Sequence, residues 1–140
     1  MNAVILYETA RGRTKTAAEH IASAMKAADV DVTVRPVDEV DLNELSAADL
    51  VIVGTWVHGL VVVGVGPAGT GKIGALPVID GKPAAVFCTY KFNPRATLEK
   101  LASVVEDRGG VVIDGIALQQ DHLREGVGDF VADLLVAVPA

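Results

Sequence analysis

The chain has 140 residues, of which 51% are hydrophobic and 21% are charged. This length favours one domain spanning residues 1–140, and the apolar content supports a buried core and argues against disorder. With 12 Lys and Arg residues against 18 Asp and Glu residues, the net charge of −6 would repel a nucleic-acid backbone.

The chain shows no pattern of a membrane span or a disulfide framework. Glycines interrupt the most apolar region, so no apolar run reaches the roughly 20 residues that a spanning helix needs. Cys88 is the only cysteine, and no His–carboxylate pair is recognisable near it, so we interpret it as a packing residue. The first residues lack the basic segment of a signal peptide, and we expect a cytoplasmic protein.

The N-terminal elements alternate between strand and helix. An apolar run at residues 3–7 predicts a strand, and apolar residues at helical spacing after Thr14 predict a helix. Residues 30–37 alternate between apolar and polar side chains, which is typical of a strand nearer the sheet edge. Residues 38–46 are predicted to form a polar connection with one helical turn.

The alternation continues through the second half. We predict strands at residues 50–53, 84–89 and 111–118, a helix closed by Gly109 and Gly110, and a final helix with an apolar stripe over residues 123–135. This order predicts a parallel sheet with helices on both faces. The loops after the first, third and fourth strands then lie along one edge, where ligands bind in such folds.

The first of these loops has the chemistry of an anion site. Hydroxyl groups and backbone N–H groups converge where the first strand meets the first helix, and the helix dipole adds partial positive charge. The residues are Thr9, Ala10, Arg11, Gly12, Arg13 and Thr14.

This hydroxyl-rich loop resembles that of the flavodoxin-like family, Thr/Ser-x-Thr/Ser-Gly-x-Thr, and the resemblance extends over nearly the full chain. It implies a three-layer α/β sandwich with a five-stranded parallel sheet in the order 2-1-3-4-5. It also implies non-covalent FMN at the C-terminal edge of the sheet, with its phosphate in the first loop. Trp56 and Tyr90 would stack on the two flavin faces, with Phe92 as a substitute candidate.

The predicted FMN-binding residues lie in the three loops, at 8–13, 55–59 and 89–94 and the adjoining helix start. They are Thr9, Ala10, Arg11, Gly12, Arg13, Thr14, Thr55, Trp56, His58, Thr89, Tyr90 and Phe92. No catalytic or metal-binding residue is predicted.

Several of these assignments have alternatives. Arg11 replaces the middle hydroxyl of the family pattern and Arg13 follows the glycine; they reinforce phosphate binding, remain solvated, or block the site by pairing with Glu8. His58 is either an exposed loop residue or a neighbour of the flavin. Trp56 and Tyr90 are otherwise core or interface aromatics.

Residues 60–74 contain two glycine motifs that mimic nucleotide sites. Residues 64–69 match Gly-x-Gly-x-x-Gly but lack a convincing helix and second strand after them. Residues 66–72 resemble a Walker A loop, yet Ile73 stands where Ser or Thr would bind magnesium. We interpret the segment as an apolar flap or as a subunit contact that would form a homodimer.

The resemblance implies an FMN-binding electron carrier that exchanges electrons with a separate reductase or acceptor, rather than a stand-alone enzyme. One alternative is a flavin-dependent oxidoreductase similar to quinone-linked protoporphyrinogen dehydrogenases. Another is a flavodoxin-fold interaction module that has lost flavin. The acidic balance would suit docking to basic partners.

Overall fold

A computed structural model describes residues 1–9, 11–57, 76–94 and 96–139. These residues form a five-stranded parallel sheet in the order 2-1-3-4-5, which confirms the predicted α/β fold. The strands are β1 (Asn2–Tyr7), β2 (Asp31–Pro36), β3 (Leu50–Trp56), β4 (Pro83–Tyr90) and β5 (Val111–Gln119). The helices are α1 (Arg13–Ala27), α2 (Leu42–Ala47), α3 (Thr97–Asp107) and α4 (Val127–Ala137).

Apolar clusters cover both faces of the sheet. On one face, Ile5, Ile52 and Phe87 pack with residues of α1 and α4, including Ile21 and Leu134. The other face has its own cluster, formed by Val4, Leu6, Val51, Val53, Leu101 and Val105 among others. Successive residues of β1 and β3 therefore enter opposite clusters, which explains why these central strands are almost continuously apolar.

The outer strands differ from the central ones. Most residues of β2 and β5 are only partly buried, whereas β1, β3 and β4 are buried along most of their length. The alternating sequence of β2 correctly placed this strand at the sheet edge.

Gly54 allows β3 and β4 to pack closely. It lies beside Phe87 in the parallel register, and a Cβ added at Gly54 would overlap the Phe87 ring. The residue is therefore required for packing, and the strand continues beyond it.

Both strands that lead to the predicted ligand loops are longer than the sequence indicated. β3 continues through Thr55 and Trp56 because these residues pair with Cys88 and Thr89. β4 likewise ends at Tyr90. The predicted starts of the loops at 55–59 and 89–94 were therefore wrong, because the first two residues of each predicted loop belong to the preceding strand.

The connection between β2 and β3 also has more structure than one helical turn. A 3₁₀ turn at Val37–Glu39 precedes α2, whose N-cap is Asp41. The Asp41 carboxylate accepts hydrogen bonds from the Asn43 and Glu44 N–H groups at 2.8 and 3.2 Å. Such capping stabilises a short helix that its apolar pattern alone does not reveal.

Within the described ranges, no helix is long and apolar enough to cross a bilayer. The predictions for the 60–74 segment, including both glycine motifs and the homodimer contact, lie outside those ranges.

Candidate functional site

The candidate site lies at the C-terminal edge of the sheet, where the strands end. The loop after β1 turns at Gly12, whose φ of 86° is in the left-handed region that favours glycine. The Gly12 N–H donates to Thr9 Oγ1 at 2.9 Å, and Thr16 Oγ1 donates to the Gly12 carbonyl at 3.0 Å. These bonds fix the turn that starts α1. Ala10 lies outside the described residues.

The first turn of α1 is open to an anion. In the described part of the chain, no side chain caps this helix, and no acidic residue lies in its first turn. The early N–H groups of a helix have no intrahelical acceptor, and its dipole is positive at that end. Arg11 and Arg13 are exposed beside this turn, and neither forms an ion pair with a described residue.

Thr14 connects this helix start to the end of β4. Its side-chain oxygen lies 2.9 Å from that of Thr89, so one hydroxyl donates to the other. Thr14 and Thr89 are only 1% and 3% exposed. The pair therefore holds the end of the first predicted loop against β4, the strand that leads into the third predicted loop.

The predicted stacking residues end neighbouring strands. Trp56 pairs in register with Thr89, and Tyr90 is the next residue of β4; both aromatic side chains are half-buried. The Val57 N–H donates to the Thr89 carbonyl at 3.0 Å, which continues the pairing past β3. The structure thus brings Trp56 and Tyr90 to one edge. His58 is outside the described residues.

Phe92 differs from these aromatics because its side chain is 87% exposed. Lys91 Nζ lies 5.1 Å from the centroid of its ring, within the range of a cation–π contact. Gln119 Nε2 donates to the Lys91 carbonyl at 3.1 Å, so the end of β5 supports the start of this loop. Phe92 is therefore presented on the surface of an anchored segment.

Two buried hydroxyl groups at this edge have no hydrogen-bond partner among the described residues: Thr55 Oγ1 and Thr97 Oγ1. Both residues are 0% exposed, and an unpaired buried hydroxyl is costly. Thr55 was a predicted site residue, whereas Thr97 was missed. Its only sequence signal was a hydroxyl residue at the start of a helix after the third predicted loop.

Cys88 is a core residue, as its sequence context indicated. It is fully buried, and burial, together with the nearby Glu99 carboxylate, raises the pKa of its thiol to about 12. A thiol that stays protonated is a poor nucleophile. The described residues also contain no group of three or more His, Cys, Asp or Glu residues suited to a metal ion.

A separate cleft of about 400 Å³ lies between α1 and the segment before α4, and it was not predicted. Its lining includes the polar residues His20, His122, Arg124 and Glu125. Burial and then the Arg124 guanidinium lower the pKa of His20, and Glu19 partly opposes them. The cleft thus favours a neutral His20.

Comparison with known proteins finds solved structures that share the fold of this chain and one family whose sequence pattern matches a segment of it. Residues 4–62 match the flavodoxin domain family, and this segment includes both the loop that follows β1 and the end of β3. No curated protein matches the chain at a significant level of sequence similarity.

Solved flavodoxin structures match the chain over nearly its whole length. A mutant flavodoxin from Pseudomonas aeruginosa has a TM-score of 0.74 at 20% identity, with 99% of each chain covered. Oxidised flavodoxin 1 from Bacillus cereus has a TM-score of 0.72 at 19% identity, covering 99% of this chain and 100% of the other. Two-electron reduced Megasphaera elsdenii flavodoxin has a TM-score of 0.65 at 23% identity, covering 94% and 98%.

These findings confirm the resemblance that the first loop indicated. The chain has the flavodoxin fold, with the same strand order, and its residues 4–62 match the sequence pattern of a flavodoxin domain.

Proposed function

We propose that residues 1–140 form one domain that binds FMN non-covalently at the C-terminal edge of the sheet and transfers electrons to or from a separate protein, in the cytoplasm. The proposal is carried by one observation: the uncapped start of α1 lies at the same edge as two half-buried aromatic residues that end neighbouring strands. An anion site beside an aromatic site fits a phosphorylated flavin.

The phosphate would bind at the start of α1. The backbone N–H groups of its first turn would donate to phosphate oxygens, and Thr9, which accepts from Gly12, retains a hydroxyl proton that can be donated. Arg11 and Arg13 would add charge-assisted hydrogen bonds. Because the Thr14 hydroxyl is already paired with Thr89, the role assigned to Thr14 is to hold the turn in place.

The flavin ring would lie beside Trp56 and Tyr90, with Phe92 available at the rim. Bound FMN supplies one- and two-electron redox chemistry, while the protein binds and orients it. The residues present fit a polar, ring-containing ligand, because the unpaired hydroxyls of Thr55 and Thr97 lie at this edge.

Titration of the flavin-free protein with FMN, followed by flavin fluorescence, tests this proposal. We expect one FMN per chain, and we expect Thr9→Ala to weaken binding at least tenfold, or about 1.4 kcal/mol. Thr9→Ser keeps the hydroxyl and is the matched control, with affinity close to that of the wild type.

Two results would contradict the proposal. Failure of FMN to bind would favour the alternative of an interaction module without flavin. Equal affinities of the Ala and Ser variants would remove Thr9 from the phosphate site.

A further inference from the structure

The side chain of Gln119 joins the ends of the last two strands of the sheet. Gln119 ends β5 and lies in register with Tyr90, the last residue of β4. Its Oε1 accepts a hydrogen bond from the Asp121 N–H at 2.6 Å, and its Nε2 donates to the Lys91 carbonyl at 3.1 Å and lies 3.5 Å from Asp121 Oδ2. An N–H on one side and a carbonyl on the other allow only one orientation of the amide.

The hydrogen bonds show that the chain leaves the strand geometry at Lys91. In a parallel ladder, the N–H and C=O groups of one residue point to the same neighbouring strand, and successive residues alternate between the two neighbours. The Thr89 carbonyl points to the end of β3 and the Tyr90 carbonyl to the end of β5, where they accept N–H groups at 3.0 and 2.8 Å. A continued strand would direct the Lys91 carbonyl back toward β3. Instead, this carbonyl is bonded to Gln119 of β5.

This change of direction leaves two successive N–H groups on one side of the loop. Both peptide bonds are trans, so the C=O and N–H of each peptide point in opposite directions. The Lys91 N–H is opposite the Tyr90 carbonyl and the Phe92 N–H is opposite the Lys91 carbonyl, so both N–H groups point away from β5. Neither donates to a described residue. Successive N–H groups with a common direction form a concave donor site for an oxygen atom.

The third predicted loop is therefore held from two sides. On the side of α1, Thr14 is bonded to Thr89 near the end of β4, and on the side of β5, Gln119 holds the Lys91 carbonyl. The strand on the side away from β5 is β3, which ends at Trp56.

We propose that Gln119 is a positioning residue for the ligand site. Its amide turns the Lys91–Phe92 peptide so that the N–H groups of Lys91 and Phe92 are available to an oxygen atom of the ligand. The proposal rests on the proposed FMN-binding function. Gln119 acts through the loop, because both ends of its amide are already bonded within the protein.

The direction of the Phe92 N–H is measurable without a ligand. Residual dipolar couplings of the ¹⁵N-labelled, flavin-free protein report the orientation of each N–H bond relative to the whole molecule. Gln119→Glu is the test variant, because it keeps the length of the side chain and the acceptor for Asp121 but replaces the donor with an oxygen that repels the Lys91 carbonyl. We expect the Phe92 coupling to agree with the structure in the wild type. In the variant it should shrink toward zero as the freed peptide samples several orientations, while the couplings of the strand residues stay the same.

FMN binding tests the consequence for the site. Gln119→Glu should weaken FMN binding about three- to tenfold, the range expected for one hydrogen bond. Gln119→Met removes the amide without adding charge and should weaken binding to a similar extent. Gln120→Glu is the control for the added charge, because the Gln120 side chain has no hydrogen bond to a described residue. Its affinity should lie within about twofold of the wild type, as expected for a surface charge.

The two measurements separate this inference from the proposed function. An unchanged Phe92 coupling in Gln119→Glu would overturn the inference whether or not FMN binds. Equal FMN affinities of Gln119→Glu and Gln120→Glu would also overturn it, because the position of the substitution would then have no effect. Failure of the wild type to bind FMN would overturn the proposed function, whereas a changed Phe92 coupling would still support orientation of the loop by Gln119.

Discussion

The two edges of the sheet differ in how far their polar groups are paired. At the N-terminal edge, Gly81 N–H donates to the Gly109 carbonyl at 2.7 Å, which joins the turn before β4 to the end of α3. Lys82 Nζ donates to the carbonyls of Ser46 and Ala48 at 3.0 and 2.7 Å. This edge is closed by hydrogen bonds.

The C-terminal edge also has hydrogen bonds between its segments, but it retains polar groups that have no partner. The helices that follow β1, β4 and β5 begin without side-chain caps in the described ranges, and the hydroxyls of Thr55 and Thr97 are unpaired there. Unpaired polar groups cost stability, and natural proteins retain them mainly at functional sites. The contrast supports the proposal that a ligand binds at the C-terminal edge.

The largest expected effect comes from a substitution at Gly54, where β3 packs closely against Phe87 of β4. Gly54→Ala would force a methyl group into the Phe87 ring, and we expect a loss of about 2–3 kcal/mol in the free energy of unfolding, measured in urea. Gly128→Ala, in α4, is the control because its added Cβ meets open space. It should raise stability by about 0.5–1 kcal/mol, and similar losses in both variants would contradict the packing role of Gly54.

The Thr14–Thr89 pair gives the next largest effect. Either Thr14→Val or Thr89→Val leaves one buried hydroxyl unpaired and should cost about 1–3 kcal/mol in urea unfolding. The double variant removes both hydroxyls and should cost less than the sum of the single losses. Additive losses would mean that the two hydroxyls do not interact.

Thr55→Val tests whether an unpaired hydroxyl is retained for a ligand. The flavin-free variant should be as stable as the wild type or up to about 1 kcal/mol more stable, because a buried group without a partner is removed. Its thermal stabilisation by FMN should be smaller than that of the wild type. Loss of stability without FMN would show that Thr55 Oγ1 has a partner in the protein.

The smallest effect concerns His20. Its lowered pKa means that the unfolded chain binds a proton more readily than the folded protein, so protonation at His20 reduces stability as pH falls through the ordinary value of 6.5. His20→Gln should therefore gain stability relative to the wild type between pH 7.5 and pH 5.5 in urea unfolding. A constant difference between the two proteins would contradict the lowered pKa.

The architecture was predictable because it depends on local patterns. Continuous apolar runs for β1 and β3, an alternating run for β2 and the glycines after α3 each indicated the correct element. The resemblance of the first loop then supplied the strand order.

The features that were missed depend on contacts between distant residues. The ends of β3 and β4 are extended by pairing with each other, which overrides the turn-like character of Thr55 and Thr89. Thr14 and Thr89 are 75 residues apart in sequence, so nothing local predicts their hydrogen bond.

A chemical-shift titration of the ¹⁵N-labelled protein with FMN tests the central claim most directly, because it observes both edges at once. The account predicts saturable shifts at the amides of Gly12 and Thr14 and at the Trp56 indole N–H, with Gly81 and Gly109 unchanged. Shifts centred on the N-terminal edge, or none at either edge, would contradict it.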